Sequence, residues 1–200
     1  MTGAPAFHRL VLASGNPGKL KEYQVLAAGH DLDLRLLEGF SSIPEFPEDA
    51  PTFAENAAGK ALYYSKYSAD LVFADDSGLV VPALGGAPGV QSARYAGPGA
   101  SNDAKIAKLL GALQGKPGTE RAAYFVCVIA VAQRGRCTAI VSGKVDGAIL
   151  ESPQGSGGFG YDPVFYFPPL QKSFAELTAA EKNQHSHRGN AFRLLMNSLD

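Results

Sequence analysis

The chain has 200 residues, with 18 Lys and Arg against 19 Asp and Glu for a net charge of -1, and 46% of its residues are hydrophobic. That suits a single folded domain with a sizeable core, and so balanced a charge gives no broad basic field for a nucleic-acid backbone. The longest uncharged apolar stretch, AAYFVCVIAVA at 122–132, is too short to span a bilayer, and the amino end lacks the pattern of an export signal. The expectation is therefore a cytoplasmic protein with neither nucleic acid nor membrane as partner.

The first element in chain order is HRLVLAS at 8–14, a short apolar run that reads as a strand. It leads into GNPGKLKEYQVLAAG, where Asn16 suits a helix N-cap, Pro17 the first helical position and Gly29 the stop. LDLRLL at 32–37 alternates as a strand, and Thr52 with Glu55 forms a capping-box pattern that opens a second helix. LVFA at 71–74 is a strand whose exit reads as ADDSG, with Ser77-Gly78 as a turn. At such a strand end Asp75 and Asp76 point to opposite sides, which predicts different tasks for the two carboxylates.

Ser101 caps a third helix, on which Ile106, Leu109, Leu110 and Leu113 share one face. AAYFVCVIAVAQ and CTAIVSGKVDGAIL, separated by the turn RGR, predict a hairpin of long strands and hence a mixed sheet. Cys127 and Cys137 lie in these segments without CxxC spacing and read as buried, inert thiols. Thr178 and Glu181 form a further capping box. The last helix, HRGNAFRLLMNSL, places Ala191, Leu194, Leu195, Ser198 and Leu199 on one face. The class is α/β with a mixed central sheet.

Four stretches carry chemistry. SGNPGK places a glycine-rich turn and a helix amino end together, an arrangement that suits phosphate. Lys19 sits in the first helical turn, where the helix dipole disfavours a cation unless an anion is near. The stretch is too short for a Walker loop, and an ordinary capped surface helix is the competing reading. GSGGFG at 155–160 matches GxGxxG formally, but YDPVFYFPP follows it where a dinucleotide fold needs a helix. Phe159 and Tyr161 there are either stacking partners for a base or core aromatics at a tight turn.

EKNQHSHRGN gathers Lys182, His185, His187 and Arg188: the Lys and Arg suit phosphate or base carbonyls, the two histidines have no third soft ligand nearby for a metal, and a solvated helix junction is the competing reading. Of the acidic residues, Glu45, Glu48, Asp49, Asp75 and Asp76 are candidates for magnesium, which needs only one or two carboxylates when substrate phosphates and water complete its shell. Glu55 is already explained by helix capping.

LASGNPGK, TFAENAAGKA, ADDSGLVVPALGGAPGVQSARYAG, GGFGYDPVF and FAELTAAEKNQHSHRGNA, in that order, resemble the inosine/xanthosine triphosphate pyrophosphatase family nearly end to end. The resemblance implies a single pyrophosphatase domain over residues 1–200. Its fold would be elongated α/β, with a long mixed central sheet flanked by helices and two closely joined lobes with an active-site groove between them. It implies hydrolysis of ITP, dITP, XTP and dXTP to monophosphate and pyrophosphate, which keeps these bases out of DNA and RNA. A Mg²⁺ cofactor and a homodimer are implied as well.

Residue by residue, the resemblance implies that Ser14, Gly15, Asn16, Pro17, Gly18 and Lys19 hold the triphosphate, with Lys60 a further contact. Asp76 matches the general base and metal ligand, and Ser77 contacts substrate. Glu48 matches the second metal carboxylate by ungapped spacing, and Glu45 does so if a gap is allowed. Phe159, Gly160, Tyr161 and Asp162 line the nucleoside pocket, while Lys182, His187 and Arg188 grip base and sugar-phosphate. Two other classes remain open: a regulatory module that senses triphosphates without cleaving them, and a phosphatase that releases orthophosphate.

Overall fold

In the computed structural model, which describes residues 8–199, one seven-stranded sheet runs in the order β2-β1-β3-β4-β5-β6-β7. Its strands are β1 His8–Leu12, β2 Leu32–Leu36, β3 Leu71–Val80, β4 Ala122–Gln133, β5 Arg136–Ile149, β6 Phe165–Phe167 and β7 Lys172–Ser173. The helices are α1 Pro17–Ala27, α2 Phe53–Tyr64, α3 Asn102–Ala112, α4 Ala179–His185 and α5 His187–Leu199. β1 pairs in parallel with both β2 and β3, whereas β6 is antiparallel to β5 and β7. The sheet is thus mixed, as expected. Among the described residues no helix is long and apolar enough to cross a membrane.

The chain divides into two compact units. The first comprises the residues up to Asp76, Val128–Ser142 and the residues from Ala191 on; the second comprises Ser77–Cys127 and Gly143–Asn190. In the first, Leu10, Leu12, Val72 and Phe73 are fully or almost fully buried, and Tyr23 of α1 meets Phe73 edge-on at 5.1 Å between ring centres. In the second, α3 contributes Ile106 and Leu109 to a core that also holds Phe125, Phe165 and Phe174, with the Phe125 and Phe165 rings 4.5 Å apart. Buried Arg121 donates to the carbonyls of Leu113, Ile149 and Leu150 at 3.1, 2.7 and 2.7 Å, tying the end of α3 to the end of β5. Three carbonyl acceptors satisfy a cation that has left water.

The helix starts follow the expected caps. The Asn16 side chain accepts from the N–H groups of Gly18 and Lys19, Ser101 accepts from Ala104, and Thr178 and Glu181 complete a reciprocal capping box. At α2 the Glu55 carboxylate takes the Thr52 hydroxyl at 2.7 Å instead of closing the box on the backbone. α1 ends at Ala27 with Ala28 as C-cap, so Gly29 follows the cap directly.

Three expectations are corrected. ADDSG does not end a strand: β3 runs unbroken through Ser77-Gly78 to Val80, with alternating side chains carrying Asp75 to Lys19 and Asp76 to Asn56. On α5 the buried apolar set is Ala191, Phe192, Leu195 and Met196, while Leu194 is 49% exposed. The apolar stripe is one position round from the expected one, because Phe192 and Met196 are the side chains that reach the core. Cys127 is buried as expected, but Cys137, next to the exposed β4–β5 turn, is exposed. Two short strands, β6 in YDPVFYFPP and β7 just beyond it, were not expected from the sequence.

Candidate active site

The first unit concentrates charge at the end of its share of β3. Asp75 is 1% exposed and receives the Lys19 ammonium at 3.0 Å on either carboxylate oxygen. Lys19 lies in the first turn of α1, and Asp75 is the anion that offsets the unfavourable helix dipole there. Asp76, 5% exposed, takes a different partner: its Oδ2 accepts from Asn56 Nδ2 at 3.0 Å. Adjacent carboxylates on one strand are thus separated by the alternation of the backbone.

Asn56 belongs to a ladder along α2. Its side chain exchanges two hydrogen bonds with the backbone of Ala50, Lys60 binds Glu48 at 2.7 Å, and the Tyr64 hydroxyl accepts the Phe46 N–H at 3.1 Å. Positions 56, 60 and 64 share one helix face, and each four-residue step rises about 6 Å. The partners 50, 48 and 46 lie two residues apart, about 6.6 Å in extended chain. The two spacings nearly match, so α2 sets the register of residues 46–50. Glu48 is thereby turned toward Lys60, whereas Glu45 is exposed. Gly59 permits the close approach, since a β-carbon there would lie 2.5 Å from the Phe46 ring.

The electrostatics follow from burial. Desolvation is the largest influence on Asp76 and raises its pKa. Lys60 and Lys19 pull it down, Glu48 pushes it up, the Asn56 hydrogen bond pulls it down, and the net shift is upward. For Lys60 burial alone lowers the pKa, but Asp75, Glu48 and Asp76 outweigh it and the net shift is upward, so this ammonium stays charged. A buried carboxylate with a raised pKa beside two ammonium groups is suited to accept a proton or a cation. Among the described residues no group of three or more His, Cys, Asp or Glu is arranged to hold a metal ion.

The second unit holds a separate cluster. The Asp162 carboxylate is 3% exposed, accepts the Phe159 N–H at 2.8 Å and forms an ion pair with Lys182. Gly158, at φ +70°, makes that loop possible, because a β-carbon there would overlap the Asp162 carboxylate. The Lys182 ammonium lies 4.9 Å from the centre of the Phe159 ring, and the Arg188 guanidinium 5.8 Å. Arg188, 2% exposed, donates to the Ser77 hydroxyl at 2.9 Å, and the His187 ring stacks on Phe125 at 4.7 Å.

Each unit therefore gathers its own share of the expected residues. Ser14, Gly15, Asn16, Pro17, Gly18, Lys19, Glu48, Lys60 and Asp76 lie in the first, and Ser77, Phe159, Gly160, Tyr161, Asp162, Lys182, His187 and Arg188 in the second. Of the two aromatics, Phe159 is partly exposed, but Tyr161 is 4% exposed and its hydroxyl donates to the Ser92 carbonyl at 2.9 Å. Tyr161 is thus a core aromatic. Asp162 points into its own loop, where it fixes the backbone at Phe159. Sequence reasoning missed Asn56, although the 56/60/64 spacing opposite 50/48/46 contains the signal.

Known proteins resemble the chain over nearly its whole length. The model described as the Ham1 family matches residues 10–198. A dITP/XTP pyrophosphatase of Geobacillus kaustophilus is 50% identical over 186 residues, 93% of this chain and 91% of that protein. Among solved structures, the Ham1 protein of Staphylococcus aureus is 41% identical with a TM-score of 0.84, covering 96% of this chain and 97% of that one. A HAM1 protein from Coxiella burnetii is 42% identical with a TM-score of 0.85, covering 96% and 98%.

Proposed function

The chain belongs to the Ham1 family, and from that membership we propose that it hydrolyses nonstandard purine nucleoside triphosphates, ITP, dITP, XTP and dXTP, to the monophosphate and pyrophosphate. The observation that carries this reading is the buried Asp76 carboxylate, hydrogen-bonded to Asn56 and under the influence of Lys19 and Lys60. Such a group holds a water and takes its proton as the oxygen attacks the α-phosphorus. Ser14 to Lys19, at the amino end of α1, offer backbone N–H groups and an ammonium to the phosphates, and Lys60 adds a second. Pyrophosphate leaves as these cations offset its growing charge.

The donor set fits Mg²⁺. Hard carboxylate oxygens from Asp76 and Glu48 are the ligands this ion takes, and the lysines that now balance them support a place for positive charge. When bound, the ion supplies charge neutralisation on the phosphate oxygens. In the second unit, Phe159 offers a ring face to the base, held by Asp162 and flanked by Lys182 and Arg188, with Ser77 and His187 completing the set. Inosine and xanthosine carry a carbonyl at the purine six position that accepts from such donors. Adenine presents a donor there and leaves the site unpaired, a mismatch that costs orders of magnitude.

The test is incubation with Mg²⁺ and ITP, XTP, dITP, GTP or ATP, with identification of the phosphate product. Pyrophosphate with preference for ITP and XTP is expected; orthophosphate, or equal rates on ATP, overturns the reading. The proposal extends to a cytoplasmic homodimer, for which light scattering at the mass of one chain is the contrary result.

A further inference from the structure

We propose that Asn56 is a positioning residue that fixes the Asp76 carboxylate and the Glu48-bearing segment to one another, an inference that rests on the assignment of Asp76 and Glu48 given above. Asn56 is 0% exposed, so each of its polar atoms must find a partner. Its Oδ1 accepts the Ala50 N–H at 3.0 Å, and its Nδ2 donates to the Ala50 carbonyl at 3.3 Å and to Asp76 Oδ2 at 3.0 Å. One amide orientation satisfies this arrangement. The flipped form would set Nδ2 against the Ala50 N–H and Oδ1 against a carboxylate oxygen. The backbone of Ala50 thereby aims an amide hydrogen at Asp76.

The consequence is geometric. Ala50 is two residues from Glu48, and Glu48 is the next rung of the α2 ladder, through Lys60. A shift of residues 46–50 along α2 displaces Glu48 and turns the Asn56 amide away from Asp76 together. One side chain thus couples two carboxylates that lie on different segments of the chain. Thr52 and Glu55 already account for the start of α2, so capping does not require Asn56. Losing a group that orients a metal-binding or reacting side chain costs about 10–100-fold in affinity or activity.

The test uses the full chain and the variants Asn56→Ala and Asn56→Asp. Asn56→Asp keeps an acceptor for the Ala50 N–H but loses the donor to Asp76; Asn56→Ala loses both. Three quantities are read: the melting temperature, Mn²⁺ binding measured by electron paramagnetic resonance with the metal alone, and kcat and KM for ITP. The expected result is a cooperative fold in at least one variant, with kcat lowered about 10–100-fold, KM changed far less, and altered Mn²⁺ affinity. A purely structural role predicts a lower melting temperature with kcat per folded molecule and Mn²⁺ affinity unchanged, and that result overturns the inference. Should neither variant fold, Asn56→Ser is measured in the same way and decides. Asp76→Asn is run in parallel: if it keeps full turnover the assignment of Asp76 has failed, whereas an inactive Asp76→Asn beside native-like Asn56 variants rejects the role of Asn56 alone.

Discussion

The Asp162 carboxylate accepts the backbone N–H of Phe159 at 2.8 Å while holding the Lys182 ammonium, so one buried anion sets both the loop and the cation beside its aromatic ring. Lys182→Met leaves that carboxylate without its ammonium. Breaking a buried pair from one side costs about 3–5 kcal/mol. Urea denaturation should show a loss of that order, and the KM for ITP should rise. Unchanged stability would mean that water replaces the ammonium at Asp162.

Asp76→Asn separates stability from activity. Burial disfavours the charged carboxylate, so removing the charge relieves a cost of folding at neutral pH. The sign is that of a carboxylate with a raised pKa: its charged form weakens the fold above that pKa, and the strain disappears as the pH falls below it. In chelator, the variant should melt no lower than the native protein, while ITP turnover drops by at least about 100-fold. A lower melting temperature would show that attraction to Lys60 and Lys19 outweighs desolvation.

The two glutamates preceding α2 should behave differently. Glu48 binds Lys60 at 2.7 Å, whereas Glu45 is exposed. Glu48→Gln is expected to raise the Mg²⁺ concentration for half-maximal turnover about tenfold, and Glu45→Gln to leave it at the native value. Titration of turnover against Mg²⁺ distinguishes them, and the reverse pattern moves the metal carboxylate to Glu45.

Tyr161 predicts a weakness at high pH. Desolvation is the chief reason its phenol pKa is raised above the ordinary 10.0. Above that pH the unfolded chain releases the proton while the folded chain keeps it, so stability falls as pH rises further. Tyr161→Phe should remove this part of the alkaline slope. It should also cost about 1 kcal/mol at neutral pH through the lost hydrogen bond to the Ser92 carbonyl. Melting curves from pH 8 to 11 compare the two proteins.

Where a rule is local, the sequence was readable. Asn16, Ser101 and Thr178 cap their helices as their types demand, and the long hairpin follows from two β-rich runs around Arg134-Gly135, whose φ values of 50° and 75° suit a two-residue turn. Residues whose meaning depends on a distant partner were harder to read. Ser77-Gly78 has turn composition, yet β3 passes through it, with Asp75, Asp76 and Ser77 held by Lys19, Asn56 and Arg188, all distant in sequence. Phe159 and Tyr161 look equivalent in sequence, but Ser92 draws Tyr161 into the core. Asn56 looks like one more polar helix residue until Ala50 and Asp76 are placed around it.

The α2 ladder also limits how this gene can change in length. One residue added between Phe46 and Ala50 would shift one rung against the others, so that the Phe46 and Ala50 backbones and the Glu48 carboxylate could no longer meet Tyr64, Asn56 and Lys60 together. Two added residues would leave about 6.6 Å of chain with no helix position to meet it. Residues 46–50 have the look of a loop, yet they should tolerate substitution at Pro47 and Asp49 far better than any insertion or deletion. Deep mutational scanning that includes single-codon insertions would show this as a five-residue gap.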